Sequence, residues 1–184
     1  MHIRSFHAHG MGKVKVVIKR NDRKIKGLCE AAIKKAVNDS LLLIQADAVA
    51  NAPKNLGQLQ SSIDVDIEQD GNHYTGSVYT DLEHAMYVEF GTGPKGAANH
   101  EGVSPEVPVA YRTSRWMIPF DAISEADAEK YHFIKIRKEG IVIGYITYGQ
   151  PAQPFLYPAF MNNQKNIDDI FAKAMDEAIK GGQV

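Results

Sequence analysis

The sequence predicts an α+β fold, an antiparallel sheet packed by a long N-terminal helix and a C-terminal helix. Three observations carry that prediction. Apolar residues recur at three- and four-residue steps across residues 22–51, and again from about 158 to 180. Between them, residues 60–69 alternate apolar and acidic up to an Asp70-Gly71 turn, and residues 73–80 return, as in a hairpin. A chain of 184 residues with 44% hydrophobic and 23% charged content suits one packed domain of a soluble protein.

Taken in order, residues 1–12 show no apolar periodicity and read as a disordered leader, with the single domain spanning 13–184. His7-Ala8-His9 offers only half a metal site. Lys13-Val14-Lys15-Val16-Val17-Ile18-Lys19 alternates well enough for a short strand. In the helix over 22–51, Ile25, Leu28, Cys29, Ala32, Ile33, Ala36 and Val37 begin a stripe that Leu41, Ile44, Ala48 and Val49 continue. Asp22 is its candidate N-cap, and Pro53 bars continuation. Cys29, the only cysteine, lies on that stripe and reads as a buried thiol.

Residues 51–59 form a corner of turn formers, and the hairpin over 60–80 follows. Its Ile63, Val65 and Ile67 face inward and its Asp64, Asp66 and Glu68 outward. His84–Phe90 is a short apolar and aromatic run that suits a strand at the middle of the fold. Gly91-Thr92-Gly93-Pro94 then opens a long loop, about 91–114, where Pro94 opposes a helix. Residues 110–120 look extended, and 121–130 form a short helix capped by Asp121. A second hairpin over 131–137 and 141–147 buries Ile134, Ile136, Ile141 and Ile143. Pro151, Pro154 and Pro158 keep 148–158 extended before the last helix.

No run of about 18 apolar residues occurs, and the first ten residues lack a signal-peptide core, so a cytoplasmic product is expected. The net charge of −1 argues against general nucleic-acid binding, but it is unevenly spread. Residues 1–35 hold ten basic residues against Asp22 and Glu30, an excess of eight, which leaves the remainder near −9. A basic front and an acidic back let subunits stack, although two solvated faces would read the same way.

Catalytic and cofactor motifs are weak. Gly91-Thr92-Gly93 with Lys95 lacks the G-x-x-x-x-G-K-[ST] order that makes a phosphate loop. His84 and Glu89, five apart on a strand, would fall on opposite faces. No G-x-S-x-G, H-E-x-x-H or C-x-x-C is present. The acidic row Asp64, Asp66, Glu68 and Asp70 leaves one enzyme reading open, a small cytosolic metal-dependent hydrolase, but exposed alternation produces such rows routinely. No cofactor is expected. Aromatic residues beside the loops, Tyr87, Phe90, Tyr111, Trp116, Phe155, Tyr157 and Phe160, read as interface anchors or as core.

Three motifs carry a resemblance. Ala52-Pro53-x-x-x-Gly57-x-Leu59-x-x-Ser62-Ile63, then Tyr87-Val88-Glu89-Phe90-Gly91-Thr92-Gly93, then Pro151-Ala152-Gln153-Pro154-Phe155-Leu156-x-Pro158-Ala159 resemble the neck, or head–tail joining, family of long-tailed bacteriophages. Such proteins are also labelled tail-completion or minor tail proteins. The resemblance covers roughly residues 13–180. Leu56 stands where the family usually has Thr, and Tyr157 where a basic residue is common. The resemblance implies a non-enzymatic virion protein, assembled in the host cytoplasm, that forms a ring with itself and joins the head connector to tail proteins. It implies no membrane and no sequence-specific nucleic-acid partner. Its assembly residues would be Tyr87, Glu89, Phe90, Gly91, Thr92, Gly93, Tyr111, Trp116, Pro154, Phe155, Leu156 and Tyr157.

Overall fold

A computed structural model describes residues 22–54 and 57–181. The strand expected at 13–19 and the leader at 1–12 lie outside the described residues. Helix α1, Asp22–Asn51, runs 30 residues and ends two positions before Pro53, as the sequence requires. Helix α6, Leu156–Gly181, runs 26 residues and packs along it. Ala36, Ala48, Ala52 and Ala159 are buried in and around this pair. Small side chains there let the two backbones approach closely. A polar link crosses the same contact: the Asn163 amide donates to Asp47 and to the Ala159 carbonyl, while Asn166 donates to Asn163. Cys29, expected buried, is only half-buried on the less covered N-terminal part of α1.

After α1, Gln58–Ser62 makes a short helix, α2, where a strand was expected to begin. Gln60 donates its side-chain amide to the carbonyls of Val49 (2.9 Å) and Ala52 (3.4 Å), which otherwise end α1 unpaired. Strands β1, Ile63–Asp70, and β2, His73–Thr80, then pair antiparallel, Ile63 opposite Thr80 through Asp70 opposite His73. Gly71 supplies the positive φ at the first turn position. Ile63 is buried and Val65 and Ile67 are half-buried, while Asp64, Asp66 and Glu68 are exposed, as the alternation dictates.

Two segments take conformations the sequence did not suggest. His84–Phe90 is not a strand: Ala85–Phe90 is helix α3. Its buried Ala85 and Glu89 and half-buried Val88 lie three or four apart, while Met86 and Tyr87 are exposed. Six residues of that kind satisfy either period, and the turn that bonds Ala85 N–H to Leu82 C=O selects the helix. Gly93–Ala98 is helix α4, with Pro94 in its first turn. Proline opposes a helix interior, but its missing N–H costs nothing at the start.

The rest forms a second sheet. Strands β3, Trp116–Pro119, β5, Ile141–Thr147, and β4, Ile134–Lys138, run antiparallel in the order β3-β5-β4. The antiparallel sheet expected is therefore two separate sheets among the described residues. Its hairpin falls where expected, but its buried residues do not. Ile134, Ile141 and Ile143 are exposed, whereas Tyr145 and Thr147 are buried. Ile136 stands opposite Gly144 and Arg137 opposite Val142, so Ile143 is the extra residue of a bulge that re-aims β5. Helix α5, Glu125–Lys130, is capped by Ser124, whose hydroxyl accepts from Asp127 N–H at 3.0 Å, and not by Asp121. Lys135 on β4 holds α5 by pairing with Glu125 and Glu129. Helix α6 starts two residues before the predicted 158, which places Pro158 in its first turn.

The core gathers Ile44, Ala48, Ala52, Leu59, Ile63, Ala85, Phe155 and Ala159. Phe155 is the largest fully buried side chain. Phe155→Ala is expected to destabilise the chain by about 3–5 kcal/mol through lost burial and a residual cavity. Chemical denaturation of the variant beside the parent reads this directly.

Candidate functional site

Two helix ends meet at the point where the sequence motifs converge. The carboxylate of Glu89, in the last turn of α3, accepts three backbone N–H groups at the start of α6. Oε2 takes Phe155 (2.6 Å) and Leu156 (3.0 Å), and Oε1 takes Tyr157 (3.0 Å). These are orphan donors of a helix N-terminus, where the helix dipole also favours an anion. Glu89 is 5% exposed, and no buried side-chain polar atom among the described residues lacks a partner. The carboxylate is thus fully committed to the backbone.

The opposite helix end is satisfied in return. The last carbonyls of α3 are orphans too. Tyr87 C=O accepts from the Gln150 side chain (2.7 Å), Val88 C=O from Gln153 N–H (2.8 Å) and Phe90 C=O from the Tyr111 hydroxyl (2.7 Å). Thr92 and Gln150 exchange backbone bonds in both directions, at 2.9 and 3.2 Å, and the Thr92 hydroxyl accepts from Gln150 N–H at 3.1 Å. Lys95 N–H reaches Tyr148 C=O, and Ala152 N–H reaches Asn99 C=O. The segments 87–99 and 148–157, about sixty residues apart in the chain, are therefore one hydrogen-bonded clamp.

Two glycines make the clamp possible. Gly149 has φ of 82°, and a Cβ there would lie 1.9 Å from the Thr92 carbonyl oxygen. At Gly91, φ is 71° and a Cβ would meet Ala152 N at 2.6 Å. Only a residue without a side chain permits both the turn and the contact.

The twelve residues expected at an assembly surface divide between clamp and surface. Glu89, Gly91, Gly93 and Phe155 are buried. Phe90, Thr92, Tyr111, Trp116, Pro154, Leu156 and Tyr157 are half-buried, and Tyr87 is exposed. Trp116 packs over Gly93 and carries the Arg112 guanidinium 5.4 Å above its ring. Sequence reasoning left Gln150, Gln153 and Gly149 out of the assembly residues, although Gln153 stands in the third motif. The signal was a pair of glutamines and a glycine between prolines, where side-chain amides can replace the donors that prolines lack.

Beside the clamp lies an open, mostly apolar groove of about 700 Å³ between α1, β2, α3 and the start of α6. Met86 and Phe160 on its rim are 57% and 46% exposed. The outer face of the neighbouring hairpin is acidic. Asp64, with partial burial, Asp81 and Asp66, holds the Tyr79 phenol above its ordinary range. Its carboxylates stand in a row, and among the described residues no three His, Cys, Asp or Glu side chains cluster so as to hold a metal ion. His84 and Glu89 do not form an acid–base pair, since Glu89 is engaged with three amides.

Residues 15–91 match the family model "Bacteriophage HK97-gp10, putative tail-component". This segment is similar to the HK97-gp10-like family. The HK97-gp10-like segment runs from before α1 through the Glu89-Phe90-Gly91 end of α3, so it includes one side of the clamp. The partner motif at 150–159 lies beyond the matched residues. The match is to a phage tail component. No curated protein and no solved structure matches the chain.

Glu89→Gln keeps one acceptor but turns an NH₂ toward a backbone donor, and it is expected to cost about 1–3 kcal/mol. Glu89→Ala leaves three amides unpaired and is expected to cost more. Gly149→Ala should destabilise at least as much as Glu89→Gln, because backbone must move to admit the methyl. Hydrogen exchange at Phe155, Leu156 and Tyr157 checks the first pair, with loss of protection concentrated there.

Proposed function

We propose that the chain is a structural protein of a phage or prophage that joins the head connector to the tail, assembling into a ring with copies of itself and docking neighbours on either side. The observation that carries this reading is the clamp. It spends the motif's one buried carboxylate on holding two helix ends together and gives rigid ground to residues 99–115, which the Tyr111 hydroxyl ties back to Phe90 C=O. That stretch holds only turns, with Val107 43% exposed. A long irregular segment on a fixed base suits a surface that orders fully when a partner docks. The match to a phage tail component supports the same class.

Assembly would take place in the host cytoplasm, and the finished ring would be part of the virion. Among the described residues no helix is long and apolar enough to cross a membrane. The excess of positive charge over residues 1–35 and the acidic remainder support head-to-tail contacts, which close into rings when the rotation allows. The docking surface is the outer part of the 91–114 segment, with Tyr87, Tyr111, Trp116 and Tyr157 beside it. Its inner part, through Asn99, belongs to the clamp. No observation favours a metal-dependent enzyme.

Replacing Pro105-Glu106-Val107-Pro108 with glycine and serine, at constant length, tests the docking role. The circular dichroism spectrum and thermal midpoint should stay near the parent's. Head–tail joining scored by electron microscopy of particles should fall at least tenfold. Undiminished joining would remove this segment from the docking surface.

A further inference from the structure

Register assigns every residue of the β3-β5-β4 sheet to one of two faces. Partners across an antiparallel ladder share a face, and each face repeats every second residue. Met117, Ile146 and Ile134 stand level, and Pro119, Gly144 and Ile136 make the next row. The extra residue Ile143 shifts the phase by one, so Lys138 and Ile141, which pair beside the turn, join the same face. The opposite face carries Tyr145 and Thr147, which are buried, and Lys135, which reaches Glu125 and Glu129 of α5. Among the described residues the first face stays open: Met117 is 55% exposed, Ile134 54% and Ile141 69%.

An antiparallel strand with one wet face alternates apolar and polar residues. Strand β5 does not. Its Ile141-Val142-Ile143-Gly144-Tyr145-Ile146 is apolar on both faces, the pattern of a strand covered on both sides. Ile141 is also the most exposed of the large apolar side chains among the described residues. Lys138 is the one charged residue at the register positions of the open face. At the other end of the sheet, Arg115 donates to the Tyr148 hydroxyl at 3.4 Å. An exposed apolar face of this kind marks a contact surface, and its ends are positive.

The same chain carries the complement. The groove beside the clamp is lined by Val78, Leu82, Met86 and Phe160, with Asp81 and Glu83 among its walls and no lysine or arginine in its lining. Neither cation occurs between Lys54 and Lys95 in the sequence. Both surfaces are open in one subunit, so a contact between them joins two copies. A foreign partner would need to match only one of them; the presence of both on one chain selects a second copy, in the head-to-tail manner that closes into rings. We propose that the open face of β3-β5-β4, at its Lys138–Ile141 end, docks in the Asp81–Glu83 groove of a second copy. The isoleucines that apolar spacing marks for burial are then covered by the assembly, outside the subunit's own core. This joint deepens the ring reading and rests on it for closure of the contact.

Ile141→Asp and Met86→Asp test the joint in the full-length chain. Both side chains are exposed, so neither change should move the thermal midpoint. In sedimentation velocity the parent is expected to associate as concentration rises, and each variant to lose at least about tenfold in association constant. Ile141→Asp keeps its groove and Met86→Asp keeps its sheet face, so a mixture of the two should form one-to-one dimers and nothing larger. Lys138→Glu should weaken association about tenfold at low salt, and a receiving chain with Asp81→Lys and Glu83→Lys should restore it. A parent that stays monomeric, or a mixture without dimers, would overturn the proposal. Variants that associate like the parent would leave the two surfaces to other occupants and overturn it as well. Head–tail joining, scored in parallel, separates the two readings. Unchanged association of the variants discards this joint and keeps the ring, whereas lost association with undiminished joining keeps the contact and discards the joining role.

Discussion

Glu89 reaches from the last turn of α3 to the amides of Phe155, Leu156 and Tyr157, and the position of α6 follows from that contact. A helix must satisfy its first donors somehow, and here the acceptor comes from a residue 66 positions earlier in the chain. The bond fixes Phe155 at the centre of the core and starts α6 along α1 at Ala159. Because the carboxylate is buried, its charge is unscreened and its alternatives are poor, so the contact is more directive than a surface ion pair. Gln150, Gln153 and Tyr111 return the favour to the carbonyls of α3, and the two helix ends are held by each other.

That arrangement separates rigidity from recognition. Residues that look like an interface motif in one dimension are largely spent inside the subunit. The surfaces left over are the turns of 99–115, the apolar groove beside β2 and the acidic face of the first hairpin. The turns and the groove adjoin the clamp.

Charge follows the same division. The ion pairs described are exposed, such as Lys26 with Glu30 and Lys180 with Asp176 along one helix, and contribute little to stability. Lys135 between Glu125 and Glu129 is the densest group; both carboxylates raise its pKa, while it lowers that of Glu125. Among the described residues the acidic row on β1 makes no ion pair of this kind, and its field is felt by Tyr79.

The amino-acid sequence by itself determined the two long helices, the first hairpin and its acidic face, because apolar spacing and turn residues act over a few positions. Pro53 ended α1 and Gly71 closed the hairpin for local reasons that hold in any fold. It also marked Glu89 and Phe155 as special, through motifs, without saying why. Only the tertiary structure decided that Ala85–Phe90 is helical, since six residues with apolar groups at either period wait on what they pack against. It alone placed Gly93–Ala98 in a helix begun by Pro94, and exposed Ile141 and Ile143 on a sheet whose inner face belongs to Tyr145 and Thr147. The pairing of 87–99 with 148–157 was out of reach for the same reason: a hydrogen bond between residues sixty apart leaves no period in the chain, and exists only once α1 and α6 bring the two helix ends together.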